Sequence, residues 1–158
     1  MTIFSDLKNT NQAASDILPK NGRLIGIDIG SKRIGIAVSD ESRFLATPKL
    51  IINRQNNLKD FAKIKDLIDE YQAIGLVCGM PVDMDDSEIP MTKFAQDFAN
   101  NLNDFLENTL PIFFFDERLT SFEARELGAS KISRKKNKSK HIDDIAASLI
   151  LQGFLDHC

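Results

Sequence analysis

Hydrophobic positions along the chain follow two periods. Residues 23–29 (RLIGIDI) and 33–38 (RIGIAV) alternate large aliphatic with small or polar side chains, which is the period of a strand. The turn-forming Gly30-Ser31-Lys32 between them predicts an antiparallel hairpin. A third strand is predicted around residues 44–53, where Pro48 restricts it to an edge or the side of a bulge. From 58 to 71, apolar residues recur at 58, 61, 62, 64, 67, 68 and 71, a helical stripe. Residues 74–79 and 112–115 are short, continuously apolar runs of the buried parallel type. Between these runs Pro90 opens a helix that extends to about residue 107. Thr120 and Glu123 have the spacing of a capping box for a short helix, and a last helix covers about 141–155. The order β-β-β-α-β-α-β-α-α predicts an α/β fold, a mixed sheet with helices on both faces. Residues 1–21 are polar and turn-prone and end in Pro19-Lys20-Asn21-Gly22. They are predicted to form a mobile or loosely docked arm before a single domain at 22–158.

Composition narrows the class. The 158 residues are 42% hydrophobic and 27% charged, a balance that excludes a disordered chain and suits one domain. Cys78 lies in an apolar run and Cys158 is far from it, so neither a disulfide framework nor a cysteine metal site is expected. The first 22 residues lack the apolar core of a secretory signal, and no stretch approaches the roughly 20 apolar residues of a membrane span. A soluble, cytoplasmic protein is expected; monomer and homodimer remain equally open.

A net charge of −3 and a pI near 5.4 argue against a generic basic nucleic-acid binder. The average conceals a division. Residues 80–117 hold nine acids and one base, whereas 131–140 hold six bases (Lys131, Arg134, Lys135, Lys136, Lys138, Lys140) and no acid. That basic run is either a solvated loop or a grip for a phosphate backbone, and one that orders on binding is both.

Three carboxylates are candidates for chemistry. Strand alternation puts Gly26, Asp28 and Gly30 on one face of the hairpin with Gly35, Ala37 and Ser39, so one acid stands among very small side chains. Asp is disfavoured in mid-strand and costly to bury unpaired. It is read as a metal-binding carboxylate with room for a phosphate above it, against the plainer reading of an Asp satisfied by turn amides. On the last helix Asp143 shares an arc with Ala146, Ala147, Ile150 and Phe154, while Asp144 falls at its margin. Helix-dipole preference explains Asp144 well and Asp143 poorly. Asp116-Glu117-Arg118 directly follows an apolar strand, where open α/β sheets bind ligands, although loop polarity alone also accounts for it. Converging carboxylates need a cation to remain ionised, and Mg²⁺ or Mn²⁺ suits oxygen ligands that share a shell with phosphate. Such a centre cleaves phosphodiesters. No Walker loop, dinucleotide fingerprint or serine–histidine motif offers another chemistry.

Four segments together, IGIDIGSKRIGIAVSD (25–40), GMPVDMDDSE (79–88), FFDERLTSFEAREL (114–127) and HIDDIAASLILQGFLD (141–156), resemble the YqgF/RuvX family of bacterial pre-16S rRNA nucleases, also called Holliday-junction-resolvase-like proteins. The resemblance covers residues 23–156. It implies a ribonuclease H-like fold with a five-stranded mixed sheet and a catalytic, metal-holding set at Asp28, Glu117 and Asp143. It also implies phosphate or orienting roles for Arg33, Arg118 and Thr120, and likens residues 133–140 to the family's variable linker. Asp86 and Ile89 stand where the family usually has glycine. The implied function is a divalent-metal nuclease that matures the ends of 16S rRNA precursor. A resolvase acting on branched DNA and a catalytically weak nucleic-acid-binding module are the alternatives. Asp28-Ile29-Gly30-Ser31 also resembles the first phosphate motif of actin-like kinases, but 158 residues leave no room for their two lobes.

Overall fold

The computed structural model describes residues 3–4, 10–81, 89–117 and 138–157, with side chains described from Gln12 onward and, in the last helix, from Ile145. Six strands form one sheet: β1 (Ile3–Phe4), β2 (Leu24–Ile29), β3 (Arg33–Ser39), β4 (Ala46–Asn53), β5 (Gly75–Met80) and β6 (Ile112–Asp116), in the order β1-β6-β5-β2-β3-β4. β2, β3 and β4 make an antiparallel meander, while β5, β6 and β1 run parallel to β2. The five longer strands are those read from the sequence. Pro48 lies in the edge strand β4 beside a register shift opposite Ile36 and Ala37, as its missing N–H requires.

Four helices are described: α1 (Thr10–Ile17), α2 (Asn57–Tyr71), α3 (Pro90–Phe105) and α4 (Lys138–Asp156). The capping-box segment at 120–123 and residues 131–137 of the basic run lie outside the described residues. Strand alternation splits the core in two. Ile25, Ile27, Cys78 and Phe114 meet α2 and α3 on one face, where Phe61 packs edge-on against Phe98 at 5.2 Å. Leu24, Val77, Phe113 and Phe115 meet α4 on the other, through Ala147, Ile150, Leu151 and Phe154. The helical stripe of α2 holds at Phe61, Ile64, Leu67 and Ile68. Leu58 departs from it and is 70% exposed, because the first turn projects beyond the packed face, whereas Asp60 there is fully buried.

The segment expected as a mobile or loosely docked arm is docked in part. Ile3 and Phe4 pair with Ile112 and Phe113 and cover the free edge of an apolar strand, whose N–H and C=O groups would otherwise stand unpaired. Ala14 of α1 is fully buried in the α4-face core. Arg43 donates hydrogen bonds to the carbonyls of Pro19, Lys20 and Gly22, which pins the end of the arm to the β3–β4 turn. The sheet therefore has a two-residue sixth strand beyond the five expected. No helix among the described residues is long and apolar enough to cross a membrane.

Candidate active site

Asp28 is the fifth residue of β2 and half-buried, on the α4 face and opposite Gly35 of β3. Glu117 follows β6 directly, and its N–H donates to the carbonyl of Met80 at 3.1 Å, which continues the β5–β6 ladder by one position. By alternation with Phe113 and Phe115, Glu117 also lies on the α4 face. Both acids thus stand at the carboxyl ends of parallel strands that are two strand spacings, about 10 Å, apart. The strand between them, β5, presents Gly79.

Gly79 makes the meeting possible. A methyl group on it would lie 2.5 Å from Glu117 Oε1 and 2.5 Å from Ile150 Cδ1. The Glu117 carboxylate therefore lies across the glycine, toward Asp28 and under α4. Gly79→Ala is expected to displace Glu117 and lower cleavage at least about ten-fold, while costing the fold about 1–3 kcal/mol of overpacking. Paired thermal melts and turnover measurements separate the two effects.

Electrostatics agree with the geometry. Burial, then the charge of Asp28, then that of Asp116 push the Glu117 carboxyl up from its ordinary 4.5 to about 7. The cluster resists carrying all its negative charge, and a bound cation relieves that. A cavity of about 260 Å³ opens beside Asp28, lined by Gly30, Ser31, Lys32, Arg33 and Gly35. Small side chains on both strands of the hairpin leave this space, as the sequence pattern predicts, and the exposed Lys32 and Arg33 stand at it.

The helix that closes this face runs antiparallel to β2. Gly26 underlies Ala147 and Leu151, while farther along α4 Phe154 packs on Phe113, and Gln152 bonds to residues 44 and 46 at the opposite end of the sheet. Position 143, one helical turn before Ala147, is therefore about 6 Å nearer the Asp28 end. Ala147, Ile150 and Phe154 of the predicted arc are buried and Ala146 is half-buried. The Asp143 side chain lies outside the described residues, as do Arg118, Thr120, Arg134, Lys135 and Lys136; Lys138 and Lys140 fall in the first turn of α4, without described side chains. Among the described residues no three His, Cys, Asp or Glu side chains are grouped as a metal site requires. Asp28 and Glu117 both offer hard oxygen donors of the kind Mg²⁺ or Mn²⁺ takes. Ile89 is extended at φ −111°, so the backbone there needs no glycine; its N–H donates to Thr92 Oγ1, which in turn donates to the Pro81 carbonyl.

Gly79 was not singled out from the sequence, and Asp116 was read with Glu117 and Arg118 as one candidate segment after an apolar strand. The signal for the glycine was its place near the carboxyl end of a buried strand just before proline, where a ligand site is expected.

A protein from Rhodopseudomonas palustris (strain BisA53) named "Putative pre-16S rRNA nuclease" is 48% identical over 139 residues, which cover 87% of this chain and 83% of the relative. One of the same name from Cereibacter sphaeroides (strain KD131) is 42% identical over 88% of this chain and 86% of its own length. In structure, RuvC of T. thermophilus in complex with a Holliday junction substrate superposes with a TM-score of 0.56 at 12% identity, over 85% of this chain and 94% of that one. The yeast mitochondrial Holliday junction resolvase Ydc2 superposes at 0.53 and 13% identity, over 96% of this chain and 83% of that one. These likenesses establish the ribonuclease H-like fold of the RuvC-type resolvases. The model of the family described as RuvX, Holliday junction resolvase, matches residues 22–157, and the chain belongs to that family.

Proposed function

We propose that this protein is a divalent-metal-dependent nuclease that processes the ends of 16S rRNA precursor in the cytoplasm. The observation that carries the reading is the placement of Asp28 and Glu117 on one face of the sheet, either side of Gly79 and beside a cavity with Lys32 and Arg33 at it. The names of the curated relatives support the substrate. Asp28, Glu117 and Asp143 would hold Mg²⁺ or Mn²⁺. When bound, the metal supplies an activated water and charge stabilisation at the phosphorus.

The chain's own residues do the rest. Asp28 and Glu117 supply the carboxylate oxygens, Gly79 leaves room for the Glu117 side chain, and Gly35 leaves room for the phosphate. Lys32 and Arg33 hold a neighbouring phosphate, and α4 shields the carboxylates from water. Arg118 is assigned to phosphate contact next to Glu117. The run Arg134, Lys135, Lys136, Lys138 and Lys140 grips the backbone that the acidic body repels. Replacing Lys135, Lys136, Lys138 and Lys140 together by Gln is expected to flatten the dependence of log affinity on log salt by about 3, since each phosphate contact contributes roughly 0.7–0.9. Binding measured across a KCl series checks this.

A resolvase acting on four-way DNA junctions is the second reading, favoured by the family description and the shared fold. Phosphate grip carries no sugar or base information, so the site itself does not discriminate. Cleavage of a pre-16S fragment and a four-way junction side by side, with and without Mg²⁺ or Mn²⁺, tests both. Cutting of the RNA alone, only with metal, is expected; cutting of the junction alone overturns the rRNA assignment. Binding of both without cutting of either marks a nucleic-acid-binding module.

A further inference from the structure

A buried charge lies behind the hairpin, on the face away from the carboxylates. Arg54, just past β4, is 14% exposed in its side chain, and its Nε pairs at 3.2 Å with Asp60, whose side chain is fully buried. Nη2 donates to Asn57 Oδ1 at 2.8 Å, and the guanidinium lies over the rings of Phe94 and Phe98 at 5.5 and 5.3 Å. The other side of Arg54 reaches the hairpin turn. Its backbone N–H donates to the Lys32 carbonyl at 2.9 Å, and Nη1 approaches the Gly30 carbonyl at 3.5 Å.

One side chain thus spans three elements that border the site. The turn at 30–32 leads directly from the Asp28 strand and lines the cavity beside it. The first turn of α2 supplies Asp60 and Asn57. The α3 helix supplies Phe94 and Phe98, and its Thr92 is bonded to the Pro81 carbonyl, two residues beyond Gly79. Fixing the guanidinium among Asp60, Asn57 and the two rings fixes the Arg54 backbone, and through it the Lys32 carbonyl.

We propose that Arg54 is a positioning residue, which sets the phosphate-facing hairpin turn beside Asp28 relative to α3, the helix whose Thr92 is bonded to Pro81 directly after β5. The role rests on the nuclease reading above for its effect on turnover, though not for its effect on the turn. A direct phosphate contact is disfavoured, because the charge is neutralised by Asp60 and largely withdrawn from solvent. A lysine cannot replace the planar fork, which makes its Asp60, Asn57 and Gly30 approaches in one plane.

The test uses the full chain with Arg54→Met/Asp60→Asn, which removes both charges together and leaves an apolar side chain against the rings. Arg54→Lys, which keeps a charge for Asp60, is the second variant. Both are expected to melt within about 5 °C of wild type, while amide exchange in residues 28–36 of the metal-free protein quickens at least ten-fold over the rest of the sheet. Turnover of the pre-16S fragment is expected to fall at least ten-fold with the salt dependence of binding unchanged, because the charges of Lys32, Arg33 and the basic run remain. A rise in KM with a shallower salt dependence would instead make Arg54 a phosphate ligand and overturn the proposal. Faster exchange throughout the chain, with turnover per folded molecule unchanged, would reduce Arg54 to a structural residue and also overturn it. So would unchanged exchange in the turn with both variants. Should the wild type cut no substrate, the nuclease reading fails on its own and the exchange comparison still decides the role of Arg54.

Discussion

Asp28→Asn is expected to abolish metal-dependent cleavage, by at least about 10³-fold, and to leave the fold intact; losses of this order follow removal of a group that acts with others as one catalytic unit. The side chain stands at the end of a strand over Gly35, with no part in either hydrophobic cluster, and Asn has nearly the same volume. The change removes one of the two charges that hold up the Glu117 proton, so Glu117 should ionise nearer its ordinary range. The metal-free variant is therefore expected to be no less stable than wild type at neutral pH. Excess Mg²⁺ or Mn²⁺ should raise the melting temperature of wild type and have little effect on the variant. Cleavage assays and metal-dependent melts of both proteins check the two halves. Retained cleavage by a clean Asp28→Asn preparation would falsify the assignment of this carboxylate.

The second large effect concerns pH and Glu117. In the metal-free protein its carboxyl is held near 7 against an ordinary 4.5, so between those values the folded chain keeps a proton that the unfolded chain gives up. Stability from this group is then full below about pH 4.5 and is lost as pH rises through about 7. The interval corresponds to about 3 kcal/mol at most, reduced by the solvent contact that the half-buried group retains. Glu117→Gln cannot ionise, and the metal-free variant is expected to exceed wild type in stability at pH 8 while matching it near pH 4.5. Metal reverses the order. A divalent cation must displace the proton, so affinity for Mn²⁺ should strengthen by up to about ten-fold per pH unit between pH 5 and 7 in wild type and stay flat in the variant. Denaturation at pH 4.5, 6 and 8, with and without Mn²⁺, reads both signs. Equal pH dependence in the two proteins would remove Glu117 from the site.

Much of the architecture was legible before any coordinates. The alternation in RLIGIDI and RIGIAV produced β2 and β3 with their small-residue face outward to α4, and the apolar runs at 74–79 and 112–115 became β5 and β6 within about a residue. Local period suffices there because these strands are buried at every position except Asp28 and Arg33, and no competing pattern exists. The docking of the arm was not legible, for the opposite reason. Ile3 and Phe4 are too few to form a pattern, and they pair only because β6 offers a free apolar edge. Arg54 and Asp60 also escaped, since charged residues near a helix start look like a solvated N-terminus; their burial depends on the two phenylalanines of α3, about forty residues away.

The sequence by itself determined the five longer strands and the helices α2, α3 and α4, the small-residue face around Asp28, the apolar arc of α4 and the segregation of acid from base. Each of these is set by neighbours within a few residues, so side-chain period and propensity encode it directly. Only the tertiary structure decided which carboxylates meet. Asp28 and Glu117 are distant in the chain, and they share one face and one end of the sheet because parallel pairing of β2, β5 and β6 aligns the strands' carboxyl ends, while Gly79 leaves room for the Glu117 side chain between them. Register and close approach are products of the whole sheet's hydrogen bonding and packing, and they leave no signature in any single segment.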